Sequence, residues 1–300
     1  MYKKVFLDDS EIRKPSENLA INNHYSNLVS DNKYDAIARI YRHSNGIILG
    51  RNHDISDVDL EACAKEGYEV ARRVTGGLAV IVDPSVLCYS LFISKNIVAN
   101  DDIKEIYKKV VLPLAEKLGK NFMVKGNYYI RQNVEGEYIP VAGHSMSGSS
   151  EVIQLDGIVH NEPLNIAKTK SLLRLRELRN YQSQKYIGFE NKIYNLKNKE
   201  TDISFDQTDL IQKEEDILSK IKGLSYSGVS EEEFIEYFHQ VLSSEFGKFY
   251  REDVSGIEEI LDDKSLFNIL NDTSRNYKKA RGHCFVDFAD PEEIFDKNGK

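Results

Sequence analysis

Arg72-Arg73-Val74-Thr75-Gly76-Gly77-Leu78-Ala79-Val80 concentrates the residue types that bind anions. Arginine presents planar, paired donors that match a carboxylate or a phosphate. Thr75 adds a hydroxyl. Consecutive glycines let a ligand approach the backbone and expose amide donors to it. Strand-like segments flank the run, Tyr68 to Arg72 before it and Leu78 to Val82 after it. The pattern describes an anion-binding turn between strands. It is not a phosphate loop of the Gly-Lys-Ser/Thr type, which must open a helix. A tight hairpin with two solvated arginines fits the same residues, because Gly-Gly is a common hairpin turn.

Other reactive residue types are sparse. Asp156 and His160 stand four apart, but no serine nucleophile elbow accompanies them. The three cysteines, Cys63, Cys88 and Cys284, form no Cys-x-x-Cys pair, so neither a disulfide framework nor a zinc site is expected. Cys88 sits inside an apolar strand and reads as a core residue. A formal charge of -8 disfavours a general nucleic-acid binder, which needs clustered Lys and Arg. No apolar run approaches the ~18 residues of a membrane span. The first residues, Met1 to Asp8, turn acidic too early for a signal peptide, so a cytoplasmic protein is expected.

These residues need a scaffold, and the patterning supplies one. Val5 to Leu7 reads as a strand. Pro15-Ser16-Glu17 opens a helix to about Val29, with Pro at a permissive position. Asn18 or Asn22 on that helix could bond a nearby turn; solvated asparagines are the alternative. Ala36 to Arg42 alternates as a strand, and Gly46 to Leu49 is its short neighbour. Ser56 to Asp59 resembles a capping box for a helix ending at Glu66. Leu87 to Ile93 reads as a buried strand, and 101–118 as an amphipathic helix that Pro113 could kink. Phe122 to Gly157 carries three strand-like segments, and Asn165 to Glu177 reads as helical. Residues 179–205 lack periodicity and read as a lid or a linker. From about 206 acidic helices follow: Asp209 to Lys222, a helix opened by Ser230-Glu231-Glu232-Glu233, and Ile257 to Leu270.

The central run resembles the Arg-Arg-x-Ser/Thr-Gly-Gly-Gly-Ala-Val motif of the lipoate–protein ligase A family, part of the biotin/lipoyl ligase and octanoyltransferase group. Asn18-Leu19-Ala20 is similar to that family's early Asn-Leu-Ala helix. Leu49-Gly50-Arg51 is similar to its Leu-Gly-Arg/Lys turn, and Leu87-Cys88-Tyr89-Ser90 to its Leu-x-Tyr-Ser strand. The resemblance implies an α/β (α+β) fold: a mixed sheet core of the biotin/lipoyl ligase type over residues 1–205, with a small accessory helical domain over 206–300.

The resemblance also implies an activity. Lipoate ligases activate a carboxylate with ATP and magnesium to an acyl-adenylate, then pass lipoate or octanoate to a lysine of a lipoyl carrier domain. Octanoyltransferases start from a carrier thioester. By this likeness Arg72, Arg73 and Thr75 would face the carboxylate or phosphate, and Gly76, Gly77, Leu78 and Ala79 would give backbone contacts. Asn127 would be a polar anchor. Departures fall at the same places. The family's Asp is Tyr128, its catalytic lysine position falls on Ile139 or Pro140, a motif glycine is Leu78, its His-Asp pair is Val82-Asp83, and its downstream Gly-Thr is Gly157-Ile158. Loss of a charged donor at a developing oxyanion typically costs about 100- to 1,000-fold in rate. Lys125, placed as the lysine of biotin ligases, and His144-Ser145 after Gly143, which could donate to an acyl carbonyl, are the candidate substitutes; a surface lysine and a structural histidine are the plain alternatives. No cysteine lies between Cys88 and Cys284, which disfavours a covalent cysteine route. No metal ligand set is expected from side chains. A catalytically impaired paralogue that acts as a binding protein, or an ATP-independent transferase, remains the other reading.

Overall fold

The computed structural model describes residues 3–98, 103–125, 129–174, 192–195, 198–202, 220–254 and 257–262. β1 (Lys4–Arg13) leads through α1 (Pro15–Ser30) to β2 (Ala36–His43), and β1 and β2 pair in parallel. α1 starts where the sequence places it. Pro15 fills the first turn, and the Glu17 carboxylate accepts from the Lys14 backbone N–H. β3 (Gly46–Leu49), α2 (Leu60–Lys65), β4 (Glu69–Arg72) and β5 (Val80–Val82) follow. The expected capping box at Ser56 divides instead. Asp54 caps a 3-10 turn at Ile55–Asp57, and Asp59 caps α2 by accepting from the Ala62 N–H.

β6 (Val86–Ser94) and α3 (Ile103–Leu118) come next, and α3 runs through Pro113. Four strands then follow where three were expected: β7 (Phe122–Lys125), β8 (Tyr129–Val134), β9 (Glu137–Gly148) and β10 (Val152–His160). A tight turn at Glu135 and Gly136, both with positive φ, separates β8 from β9. α4 (Ile166–Leu172) is shorter than expected. The described part of the expected lid is a pair of antiparallel strands, β11 (Lys192–Asn195) and β12 (Asn198–Asp202). The expected helix over 209–222 lies almost wholly outside the described residues. α5 (Leu224–Ser227), α6 (Glu231–Phe246), β13 (Tyr250–Glu252) and α7 (Ile257–Asp262) close the described chain. Ser230 and Glu233 form the expected reciprocal cap of α6.

Eight strands form one mixed sheet, in the order β13-β1-β2-β6-β10-β9-β8-β7. β6 lies at its centre and is buried along its whole length, which is why its sequence is a continuous apolar run rather than an alternation. One face packs against α3 and α6, through Tyr89, Leu91, Ile106, Val110, Phe234 and Phe238. The other packs against α1 and α7. A three-stranded sheet, β4-β3-β5, sits beside α1 and the β2–β6 end of that second face.

The segment expected as an accessory domain from residue 206 shares this core in its described part. α6 buries Phe234, Phe238, Val241 and Leu242 against the large sheet, and β13 extends the sheet edge by pairing with β1. Each buried Phe contributes about 1.5–3 kcal/mol by removal from water. The expected 205/206 boundary itself lies outside the described residues. No helix among them is long and apolar enough to cross a membrane.

Candidate functional site

The Arg72 to Val80 run is not a hairpin. β4 and β5 both pair with β3, one on each side, in the registers Leu49↔Arg72 and Ile48↔Val80. Residues 73–79 therefore cross over the end of β3, and the alternative of a tight Gly-Gly hairpin is excluded. Arg73 is buried beneath the crossing. It donates from Nη1 to the Ile48 carbonyl (3.0 Å) and from Nη2 to the carbonyls of Gly76 (2.6 Å) and Leu78 (3.0 Å). Arg72 Nη1 donates to the carbonyls of Gly50 (2.8 Å) and His53 (2.7 Å). The Arg51 N–H closes the unit on the Thr75 carbonyl, at 2.8 Å.

Both guanidiniums were expected to face an anion, and in this structure both are committed to backbone carbonyls. Their work is to shape two turns and hold them together. Contact is close enough to demand glycine on each side. A Cβ on Gly50 would stand 1.8 Å from the Gly77 carbonyl oxygen, and Gly77 itself has φ +92°. Gly76 is different, since a Cβ there would meet nothing within 4 Å. Open space thus lies against the Gly76 backbone, with Gly77 exposed and Leu78 and Ala79 half-buried beside it. Among the described residues no group of three or more His, Cys, Asp and Glu could hold a metal ion.

Thr75 is fully buried and turns down onto the sheet. Its hydroxyl is 2.7 Å from Asp156 Oδ2, and the Ser145 hydroxyl is 2.9 Å from Thr75 Oγ1. Register explains the meeting. Arg39, Ser90, Asp156 and Ser145 stand side by side on β2, β6, β10 and β9. Ser90 Oγ donates to Asp156 Oδ1 at 2.7 Å, and Gln154 Nε2 donates to both carboxylate oxygens, at 2.9 and 3.1 Å. From α1, Asn22 Nδ2 donates to Ser90 Oγ (3.1 Å) and to the Tyr41 hydroxyl (3.0 Å). Asn22 Oδ1 accepts from Arg39 Nη1 at 2.9 Å. Arg39 is fully buried, and its other donors reach Asp9 Oδ2 (2.6 Å) and Asn18 Oδ1 (2.6 Å). Asn18 Nδ2 bonds the Arg42 carbonyl and approaches His43 Nδ1, whose pKa burial pushes down to about 3. One continuous polar network therefore runs under α1 from Asp9 to the motif. Both asparagines that the sequence marked as unusual are inside it.

His144 is placed otherwise than expected. It is one residue from Ser145, so it faces the opposite side of the sheet. There it bonds the hydroxyl of Tyr89, whose ring packs on Phe234 and Phe238. Gly143 is buried within β9, paired with Ile158 and Tyr129. Asp156 and His160 are four residues apart on one strand, about 13 Å, and are not a pair. Ile139 and Pro140, at the family's lysine position, are both buried in β9, with Arg131 of β8 directly across from Pro140. Lys125 ends β7, and its side chain, like all of Asn127 and Tyr128, lies outside the described residues. Lys3, Lys108, Lys117 and Lys168 form their contacts elsewhere. Cys88 is buried in the core, and burial pushes its thiol up to about 12, which agrees with its reading as a core residue. Sequence reasoning took Ser145 only together with His144 and gave no role to the Ser90 hydroxyl or to Arg39; the signal available was their shared cross-strand row, which needs the register.

A family model, the lipoyl protein ligase A/B catalytic domain, matches residues 14–212. A putative lipoate-protein ligase A of Aeropyrum pernix is 26% identical over 140 residues, 46% of this chain and 49% of that protein. An octanoyl-[GcvH]:protein N-octanoyltransferase of Geobacillus kaustophilus is 28% identical over 142 residues, 45% of this chain and 49% of that protein. The matches to these two relatives span about half of their length. Among solved structures, Plasmodium falciparum LipL1 in complex with lipoate has a TM-score of 0.60 at 15% identity, covering 92% of this chain and 74% of that one. A lipoate-protein ligase A bound with ATP has a TM-score of 0.60 at 17% identity, covering 89% and 95%. The bipartite lipoate protein ligase of Thermoplasma acidophilum, described with its E2 lipoyl domain, has a TM-score of 0.59 at 17% identity, covering 94% and 100%. These structures share the mixed α/β fold. With the family model covering most of the sheet and the whole of the Arg72 to Val80 crossing, the chain belongs to the lipoyl protein ligase A/B catalytic-domain family.

Proposed function

We propose that this protein transfers a lipoyl or octanoyl group to a lysine of a lipoyl carrier domain, with the acyl group activated by ATP as an acyl-adenylate. The observation that carries the reading is the crossing at 73–79. Arg73 braces its own turn from below, a Cβ on Gly76 would meet nothing within 4 Å, and the adjoining Thr75 bonds Asp156 and Ser145. Backbone amides there would take the carboxylate or phosphate, and the hydroxyl cluster would meet the reacting centre. Magnesium would be held by the nucleotide's phosphates. The cytoplasm is the expected compartment.

A second reading, transfer from a carrier thioester without ATP, draws on the buried Ile139 and Pro140 at the lysine position and on the likeness to an octanoyltransferase. Mass spectrometry separates the two. An apo lipoyl domain is expected to gain one octanoyl group when incubated with the protein, octanoate, ATP and magnesium. Gain from an octanoyl-carrier thioester alone, without ATP, would select the second reading. No gain from either donor would overturn both.

A further inference from the structure

The hydroxyl hydrogens beneath the motif have only one consistent arrangement. A carboxylate has no hydrogen to give, so Thr75 Oγ1 donates to Asp156 Oδ2 across 2.7 Å. A hydroxyl owns a single hydrogen, and that of Thr75 is spent. Ser145 Oγ must then donate to Thr75 Oγ1 across 2.9 Å. Ser145 is half-buried at the outer end of the row, and with its hydrogen turned inward it presents lone pairs. An outward acceptor at this position suits an N–H donor. It does not suit the oxygen of a carboxylate or phosphate.

The rest of the network keeps the direction fixed. Ser90 and Gln154 hold the Asp156 carboxylate from its other sides. Behind them Asn22 links Ser90 to the buried guanidinium of Arg39.

The geometry points to a proton relay, Ser145 to Thr75 to Asp156, that receives a proton from the lysine ammonium of the acyl acceptor. This rests on the acyl-transfer reading above. The ammonium donates to Ser145 Oγ. As its proton passes to Ser145, the Ser145 proton moves to Thr75 and the Thr75 proton to Asp156 Oδ2. The freed Nζ lone pair forms a C–N bond at the acyl carbonyl carbon. The bond from that carbon to the donor's oxygen or sulfur breaks, and its electron pair leaves with the phosphate or thiolate. The amide keeps one hydrogen; the last nitrogen proton goes to the departing group. Asp156 returns its proton to water along the same hydroxyls. Ser145 is thus a catalytic residue, and Thr75 and Asp156 act through it.

The test compares two nucleophiles on octanoyl-AMP: an apo lipoyl domain, whose lysine arrives as an ammonium, and hydroxylamine, which arrives as the free base at neutral pH. For Ser145→Ala, lysine transfer is expected to fall about 100-fold relative to hydroxamate formation, within the range of general acid–base effects. The deficit should close as pH rises toward the ordinary lysine value of about 10.4. Thr75→Ser, which keeps the hydroxyl, should preserve the ratio, and Thr75→Val should lower it as Ser145→Ala does. Hydroxamate formation reports that each variant is folded. An unchanged ratio in Ser145→Ala, or a deficit that does not depend on pH, would overturn the relay and leave acyl transfer standing. If the unsubstituted protein makes neither product, acyl transfer falls and the relay falls with it.

Discussion

Two rows of residues one step apart on the same strands have opposite chemistry. Arg39, Ser90, Asp156 and Ser145 face α1 and the Arg72 to Val80 crossing, and each is tied to polar neighbours. Ile40, Tyr89, Gly157 and His144 face α3 and α6, where the surroundings are aromatic and aliphatic. The polar row gives the sheet its proposed site. Its neighbour gives the sheet a core. A strand alternates sides at every residue, so a sequence that reads as one mixed run is two surfaces in space. This is why His144 and Ser145, expected together from the sequence, face opposite sides of the sheet.

The comparison breaks most severely at Arg39. It is fully buried and binds Asp9, Asn18 and Asn22. Arg39→Met would leave two asparagine oxygens without their donor and Asp9 with only Arg13. Removing one partner of a buried ion pair costs about 3–5 kcal/mol. The lower end is expected here because Arg13 remains, and urea unfolding should show a lowered midpoint with an unchanged slope. A loss below about 1 kcal/mol would mean that the polar row is not what holds α1 to the sheet.

The opposite row breaks at Gly157. A Cβ there would stand 2.1 Å from the Tyr89 ring, which lies flat across the glycine to reach His144. Gly157→Ala must push the ring away, at an overpacking cost of about 1–3 kcal/mol. Thermal unfolding reads that cost. The lysine-to-hydroxylamine ratio should stay as it is, because the displaced ring is on the other face.

Tyr89→Phe gives the smallest and sharpest contrast. It removes one hydroxyl and keeps the ring on Phe234 and Phe238. A net loss of about 1 kcal/mol is expected, with no change in transfer. If Tyr89→Phe lowers transfer as much as Ser145→Ala, the two rows are one site and their separation fails.

The departures in the motif were legible from residues alone, and so was the fold. Pro15-Ser16-Glu17, the continuous apolar strand Val86 to Ser94 and the Ser230–Glu233 cap each form locally, from backbone sterics and short-range hydrogen bonds, so their neighbours in sequence suffice to specify them. The order of motifs carried the family. Beyond that the sequence was silent on direction. Nothing in Arg72-Arg73 tells whether a guanidinium faces a ligand or the chain's own carbonyls, because both are planar acceptors at hydrogen-bonding distance.

By itself the sequence determined which segments become helix and strand, which residues are apolar enough to be buried, and which turn must be glycine. The tertiary structure alone decided that Thr75 meets Asp156 across 81 positions of chain and Ser145 across 70. It also decided that α6 joins the same core as β6. The physical reason is register. Cross-strand neighbours are set by how strands slide against one another, and that is fixed by the packing of whole faces rather than by any short stretch of residues.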